Sequence, residues 1–234
     1  MSERTPTHHT LRNAALALAG VIVVSLALWM AQPPAGPEPS AVVEPPPADS
    51  LPVVAGLGGD FRLPATTGRE LALADLHGKV VLLNFGFTHC PDVCPMVLTR
   101  IGNALRELER QGVDTARVQP LFVTFDPERD SLDLLKEYVA YFHPALIGLR
   151  GDLPQTAELA SRYKVIYLKQ NTGSAAGYVF QHSDYVYVID TVGRVRLLVG
   201  SDDPDAAIIE AVKRLLRDSE KDHTDKPVAA GGTA

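Results

Sequence analysis

The sequence predicts an α/β domain built around a buried parallel sheet, and three observations carry that prediction. Helical and strand patterns alternate between residues 53 and 217. Residues 80–87 form a continuous apolar run, which is typical of a strand buried on both faces. Hydrophobic residues make up 46% of the 234-residue chain and charged residues 21%, a composition typical of a globular protein with a substantial core.

The first half of the predicted domain contains a hairpin, two buried strands and two helices. The turn at Thr67-Gly68 predicts the hairpin, and Pro95 begins the first helix, because a missing N–H costs nothing in the first turn. Asp130 or Ser131 is expected to cap the second helix. The predicted elements are a hairpin over 61–73, strands over 80–87 and 118–125, a helix from 95 with Val97, Ile101, Leu105 and Leu108 inward, and a helix with Leu134, Leu135, Tyr138, Val139 and Phe142 inward that ends at His143-Pro144.

The second half continues the alternation and ends in a hairpin and a helix. A strand–helix–strand unit followed by those elements predicts a thioredoxin-like α/β sandwich, to which the hairpin 61–73 is an addition. The predicted elements are a strand over 146–149, a helix over 155–163, a strand over 165–168, a loop over 171–177, strands over 185–189 and 195–199, and a last helix from Pro204. We therefore place the domain at residues 53–217.

The flanking segments predict a membrane-anchored protein. Residues 14–31 are 18 uncharged residues, enough for a helix of about 27 Å that spans a bilayer core. Arg4 and Arg12 precede them and place residues 1–13 in the cytoplasm and the domain outside it, so we expect a single-pass protein of a bacterial inner membrane with its domain in the periplasm. A cleaved signal peptide is the alternative.

Two further segments flank the domain. The eight prolines in 32–52 predict a stiff linker, and residues 218–234 are predicted to form a disordered tail.

The charge of the chain argues against a nucleic-acid partner. The formal net charge is −6, the chain contains 28 acidic against 22 basic residues, and lysine and arginine do not cluster in runs.

Both cysteines lie in the motif CPDVCP, residues 90–95, directly after the first buried strand. A pair so close in sequence cannot staple distant parts of a fold, so the two thiols are expected to bind one metal ion or to react with each other. Parallel strands end at the same edge of a sheet, which brings Cys90 near residues 126–130. Cys94 is expected at a helix N-terminus, whose partial positive charge favours a thiolate.

A third metal ligand would have to come from the histidines. His8, His9 and His223 lie in the flanking segments, and His77, His89 and His143 occupy turns or helix ends where solvent exposure is expected. His182 precedes a predicted strand and follows a loop rich in glycine and alanine. Its residue type and position alone leave open whether it is a ligand or a structural residue.

Three motifs in order resemble the Sco (SenC) copper-chaperone family: GFTHCPDVCP at 86–95, VTFDPERD at 123–130, and YVFQHS at 178–183 with YVID at 187–190. The resemblance covers about 53–217, and an N-terminal anchor is similar to that family's as well. It implies a thioredoxin fold in which Cys90, Cys94 and His182 bind one copper ion. It also implies a role in building the binuclear copper centre of cytochrome c oxidase. The implied partners are the copper-receiving oxidase subunit and other copper chaperones or thiol reductants. Members often carry an acid before the histidine, where this chain has Gln181.

The chemistry of the three side chains agrees with copper. Two soft thiolates and one imidazole suit Cu(I), and Cu(II) if an oxygen joins them, whereas structural Zn²⁺ would require a fourth protein ligand. Asp92 and Asp126 are candidates to supply that oxygen or to orient a ligand by a hydrogen bond to it. Their alternative roles are a turn residue and a residue that ends a strand before Pro127.

Two other functions compete with a metal carrier. A thiol–disulfide oxidoreductase would use Cys90 and Cys94 as a redox-active disulfide and keep the cysteines of the oxidase subunit reduced. Thioredoxin-type enzymes, however, use C-x-x-C and a facing proline, while this chain has C-x-x-x-C and no proline between Pro154 and Pro204. A thiol peroxidase would need a threonine and proline ahead of the cysteine. The sequence thus predicts a carrier without catalytic residues, with auxiliary thiol reduction as the alternative.

Overall fold

The computed structural model describes Ser25, residues 50–173 and residues 177–224. The chain divides into the units Met1–Pro45 and Pro46–Ala234, and the architecture below is that of the second. The predicted cytoplasmic tail, most of the anchor and linker, and residues 225–234 lie outside the described residues. Among the described residues, no helix has both the length and the apolar character needed to cross a membrane.

Nine strands and four α-helices make up the described part of the domain. The strands are β1 Arg62–Pro64, β2 Glu70–Ala72, β3 Val80–Gly86, β4 Val118–Thr124, β5 Ile147–Leu149, β6 Tyr167–Asn171, β7 Tyr178–His182, β8 Val186–Ile189 and β9 Val195–Val199. The helices are α1 Val93–Arg110, α2 Leu132–Phe142, α3 Leu153–Arg162 and α4 Ala206–Thr224, with short 3₁₀ turns at Leu73–Leu76 and Thr115–Arg117.

The central sheet has the strand order β5-β4-β3-β8-β9. β3 pairs in parallel with β4, so that Val80 lies opposite Val118 and Gly86 opposite Thr124. β8 pairs antiparallel with β3 and with β9. The hairpin β1–β2 joins the edge of the sheet through Ala65 and Leu149. These pairings confirm the predicted thioredoxin-like α/β fold with an extra hairpin.

Alternating side chains of β3 divide the core between the two faces of the sheet. Val80 and Leu82 pack in a cluster with apolar residues of α1, α2 and α4. Val81, Leu83 and Phe85 pack in a second cluster with the β1–β2 region and α3. Because both faces are covered, every residue of β3 is buried, as its continuous apolar run predicts.

Several local predictions were wrong in detail. α1 begins at Val93 rather than Pro95. Of the two predicted caps of α2, Ser131 is confirmed, because its hydroxyl accepts from the backbone N–H of Leu134. Leu134 is exposed, whereas Leu135, Val139 and Phe142 are buried and Tyr138 is partly buried against the same cluster. His143 is buried, and its Nδ1 accepts the N–H of Ala145 at 3.2 Å.

The domain also extends beyond both predicted bounds. α4 continues to Thr224, past the predicted end of the domain at Arg217, because Ser219 is buried and accepts a 2.7 Å hydrogen bond from Arg117 Nη2. At the other end, the carbonyl of Leu51, placed in the predicted linker, accepts a 2.7 Å hydrogen bond from Arg196 Nε.

Gly86, the last residue of β3, leaves room for the thiol of Cys94, which packs against it. A methyl group at this position would lie 2.7 Å from Cys94 Sγ and 2.7 Å from Phe122 Cε2. We expect Gly86→Ala to lower the free energy of unfolding by about 1–3 kcal/mol through overpacking, and to displace Cys94. Denaturant unfolding and thiol titration measure the two effects. In the control Gly112→Ala, the left-handed backbone alone costs about 1–2 kcal/mol, and the new methyl group meets no atom within 4 Å. Unchanged thiol titration in Gly86→Ala would contradict the prediction.

Candidate metal centre

The two cysteines lie where the chain passes from β3 into α1. The N–H of Cys90 donates to the carbonyl of Phe87 at 3.3 Å, which turns the chain away from the sheet. Cys94 is the second residue of α1, and its backbone N–H donates to Cys90 Sγ at 3.4 Å. Cys94 is 1% exposed, whereas Cys90 is partly exposed. One thiol therefore faces solvent and the other closes the bottom of the site.

His182, the last residue of β7, completes a group of three potential ligands. Its Nε2 lies 3.4 Å from Cys94 Sγ and 4.0 Å from Cys90 Sγ. All three ligand atoms lie within 4.8 Å of one another. Among the described residues this is the one such cluster of histidine, cysteine or acidic side chains. The structure thus brings together the three residues that the sequence singled out.

The thiolate falls on Cys90 rather than on Cys94. The hydrogen bond from the Cys94 thiol, with further hydrogen bonds from His182 and from the backbone of Asp92 and Cys94, outweighs burial and lowers the pKa of Cys90 to about 4. The same sulfur–sulfur hydrogen bond, burial and the negative charge of Cys90 raise the pKa of Cys94. The expected position of Cys94 at the helix N-terminus is confirmed. However, the helix N-terminus acts on Cys90, because the N–H of Cys94 points at that sulfur.

The imidazole of His182 is oriented for ligation through Nε2. Its Nδ1 lies 2.9 Å from the carbonyl oxygen of Ser183, which can only accept, so Nδ1 carries a proton. Burial opposes protonation of the second nitrogen, but Cys90, the Ser183 carbonyl and Asp184 together raise the pKa of His182. Nε2 lies on the side of the ring that faces the two sulfurs, 4.0 Å from Cys90 Sγ. A metal ion would bind there only to the unprotonated nitrogen.

Two phenylalanines that follow the paired strands support the histidine ring. Phe87 follows β3, Phe125 follows β4, and their ring centroids are 5.5 Å apart. The centroid of the His182 ring lies 5.9 Å from that of Phe87 and 5.0 Å from that of Phe125, both edge to face. Phe180 contacts the same two rings. The metal centre therefore has an apolar wall, which limits access of water to one side.

A fully buried carboxylate joins the cysteine loop to the end of β4. Asp130 Oδ2 accepts from the N–H of Thr88 at 3.0 Å and from Thr124 Oγ1 at 2.5 Å, and Oδ1 accepts from Thr88 Oγ1 at 2.5 Å. The sequence analysis predicts that Asp130 lies at this edge, but only as a possible helix cap. Its role depends on the parallel register, which sets Thr88 beside it, and no local motif encodes that contact.

Asp92 and Asp126, the two acidic candidates, occupy different places. Asp92 is exposed, and its backbone, rather than its carboxylate, contacts Cys90. Asp126 is 1% exposed, bonds Arg129 Nε at 2.5 Å and accepts from the hydroxyl of Tyr178 at 2.8 Å. Neither belongs to the group of three ligands. Gln181 is exposed and accepts from Gln170 Nε2 at 3.2 Å, so its side chain bonds across the hairpin.

A family model described as SCO1/SenC matches residues 52–217. The chain belongs to the SCO1/SenC family. The match covers the whole of the predicted domain and confirms the resemblance that the three motifs carry.

Named relatives and solved structures agree with this membership. The chain is 36% identical over 162 residues to "Protein SCO2, mitochondrial" of Saccharomyces cerevisiae, covering 69% of this chain and 53% of that protein. It is 37% identical over 139 residues to "SCO2-like protein RP587" of Rickettsia prowazekii, covering 59% and 66%. The matched segments thus span only 53–66% of the length of these relatives.

Two solved structures match most of the domain. The Arabidopsis thaliana ScoI structure with copper bound has a TM-score of 0.64 and 34% sequence identity, and the match covers 69% of this chain and 99% of that one. The Bradyrhizobium japonicum ScoI structure with copper bound has a TM-score of 0.62 and 34% identity, with 68% and 99% covered.

The unequal thiols predict a distinctive alkylation profile. The rate at which iodoacetamide modifies Cys90 in the reduced, metal-free protein should stay constant from about pH 8 down to about pH 5, because the nucleophile is the thiolate. The rate should fall only as the pH approaches the pKa of Cys90, about 4. Cys94 should react only after unfolding. Mass spectrometry identifies the modified residue, and the unfolded chain, with thiol pKa values of about 8.5, is the control. A midpoint near that ordinary value in the folded protein would contradict the assignment.

Proposed function

We propose that this protein is a membrane-anchored copper carrier that delivers its metal to the binuclear copper centre of cytochrome c oxidase. The carrying observation is the cluster of Cys90 Sγ, Cys94 Sγ and His182 Nε2 within 4.8 Å of one another. Membership in the SCO1/SenC family and the copper bound in the ScoI structures support copper as the cargo.

The donor set favours copper over the common competing metals. Thiolates and imidazole are soft or intermediate ligands, which suit Cu(I) with three ligands. No aspartate or glutamate among the described residues joins the cluster, which disfavours the oxygen-seeking ions Mg²⁺ and Ca²⁺. Copper would bind on the partly exposed Cys90 side, where a receiving protein can approach.

The anchor and the compartment are part of the same proposal. The 18 uncharged residues 14–31 and the basic residues before them support a single span of a bacterial inner membrane, with the domain in the periplasm. The receiving partner would then be the membrane-bound oxidase subunit whose copper centre faces the same side.

A second candidate function is reduction of a partner's disulfide. The lowered pKa of Cys90 beside the Cys94 thiol favours it, because such a pair can attack a disulfide and resolve the mixed intermediate. The two functions require different residues: a reductase uses the two sulfurs, and a copper carrier also uses His182.

We expect the reduced full-length chain to bind one copper ion, and Cys90→Ala or Cys94→Ala to abolish tight binding, because each removes half of the thiolate pair. Metal content after dialysis, with copper and zinc in competition, measures stoichiometry and preference. Undiminished copper affinity in either variant would refute the copper-carrier function.

His182→Ala should weaken copper binding, Cu(II) most of all, while the Cys90–Cys94 disulfide still forms and is reduced. His77→Ala is the matched control, because His77 is an exposed imidazole away from the cluster. Copper affinity and thiol titration are measured on one preparation. Normal copper binding combined with impaired thiol exchange in His182→Ala would favour the reductase.

The anchor makes a separate prediction. The chain should sediment with the membrane fraction and keep its N-terminus, because residues 14–31, a helix of about 27 Å, fall within the usual length range of membrane-spanning helices. N-terminal sequencing that begins after Ala31 would instead identify a cleaved signal peptide, and the copper results would be unaffected.

A further inference from the structure

His182 belongs to a strand pair that is separate from the sheet carrying the cysteines. β6 and β7 form a two-stranded sheet of their own, and in the described part of the chain neither strand is hydrogen-bonded to the five-stranded sheet. Residues 183–185 join β7 to β8 of that sheet, so the chain tethers His182 at one end of β7. Side-chain contacts hold the rest of the hairpin in place.

One face of β7 carries three of those side chains. Successive side chains of a strand point to opposite faces, so Tyr178, Phe180 and His182 share a face. Phe180 and His182 both contact Phe87 and Phe125. Tyr178 lies at the other end of the row, about 13 Å from His182 at a rise of about 3.3 Å per residue.

Tyr178 is held by a polar cluster on the loop after β4. Its hydroxyl donates to Asp126 Oδ1 at 2.8 Å, and its carbonyl accepts from Arg129 Nη1 at 2.9 Å. Arg129 also bonds Asp126 Oδ2 through Nε at 2.5 Å. Asp126 is 1% exposed, so these bonds are shielded from competing water.

The ring of Tyr178 is also held between two cations. Arg129 Cζ lies 3.6 Å from the ring centroid and Lys169 Nζ lies 3.7 Å from it. Because two cations repel each other, an arrangement on opposite faces of the ring is the favourable one. Lys169 in turn pairs with Glu128 at 2.9 Å, which ties the neighbouring strand β6 to the same loop.

We propose that Asp126, Arg129 and Tyr178 form a clamp that positions His182 and thereby governs how readily the site gives up its metal. The clamp fixes one end of the β7 row against the loop after β4, and the aromatic contacts transmit that position to the imidazole. When the clamp weakens, the row shifts on Phe87 and Phe125, and His182 leaves the metal before the two thiolates do. This inference rests on the proposed copper-carrier function.

The decisive variant is Tyr178→Phe, which removes one hydroxyl and keeps the ring between its two cations. We expect the full-length chain to transfer Cu(I) to a soluble chelator about 3- to 10-fold faster than wild type, the range expected for one lost hydrogen bond. Arg129→Met should accelerate transfer further. Arg129→Lys should bring the transfer rate only part of the way back to that of wild type, because lysine lacks the planar fork of donors. Nitrogen hyperfine structure in the Cu(II) spectrum should weaken in the same order.

Two control variants remove a tyrosine hydroxyl and an arginine ion pair at other places in the domain. Tyr163→Phe removes a hydroxyl that donates to the Gly59 carbonyl at 3.1 Å. Arg117→Met removes an ion pair with Glu220 at 2.7 Å beyond the opposite end of β4. We expect both to lower the melting temperature and to leave copper transfer and the Cu(II) spectrum unchanged.

Wild-type transfer rates and spectra in Tyr178→Phe would overturn the clamp, as would equal effects in the controls. If Arg129→Met does not fold, Tyr178→Phe alone decides. A wild-type chain that takes up no copper would contradict the proposed function instead. The clamp is then judged by amide exchange in β6 and β7 of the metal-free protein. Exchange about 3- to 10-fold faster in Tyr178→Phe supports it, and unchanged exchange refutes it.

Discussion

The site depends on the in-register parallel pairing of β3 and β4. Because Gly86 lies opposite Thr124, the two strands end at the same level and the chain leaves each through a phenylalanine. Those two rings, Phe87 and Phe125, become neighbours and form the wall on which the His182 ring rests. The same register sets Thr88 beside Asp130, whose buried carboxylate ties the cysteine loop to β4. A shift of one residue would reverse the faces of all these side chains.

The pairing of β3 with β4 could be predicted from the sequence, because buried parallel strands are recognisable as continuous apolar runs and their carboxyl ends lie at one edge of the sheet. The cysteine loop and the β4 loop were placed together on that ground. β7 was missed, since it lies in a hairpin whose strands are mostly exposed or only partly buried and carry no continuous apolar run. Its stability comes from side-chain contacts with residues distant in sequence, and local sequence patterns do not reveal such contacts. The position of His182 near the thiols was therefore available from the family resemblance and not from periodicity.

The sequence also did not predict which of the two cysteines carries the negative charge. A helix N-terminus was expected to favour a Cys94 thiolate, yet Cys94 is 1% exposed and burial disfavours its ionised form. Its N–H reaches the sulfur four residues earlier, and the thiol donates to the same atom. Cys90, partly exposed and surrounded by donors, becomes the thiolate. The motif spacing determines that the two sulfurs share one helix terminus, whereas only their tertiary burial determines which of them carries the charge.

The three ligand atoms come from two elements with different kinds of support. Both sulfurs belong to one continuous segment, fixed by backbone hydrogen bonds and by the close packing of Cys94 against Gly86. The imidazole belongs to a separate strand pair that rests on aromatic and ionic contacts. Side-chain contacts of this kind yield more readily than a sheet, because local opening requires few buried contacts to break. Such a division suits the proposed copper carrier, in which the soft thiolate pair would retain the metal while the third ligand leaves without disturbing the core.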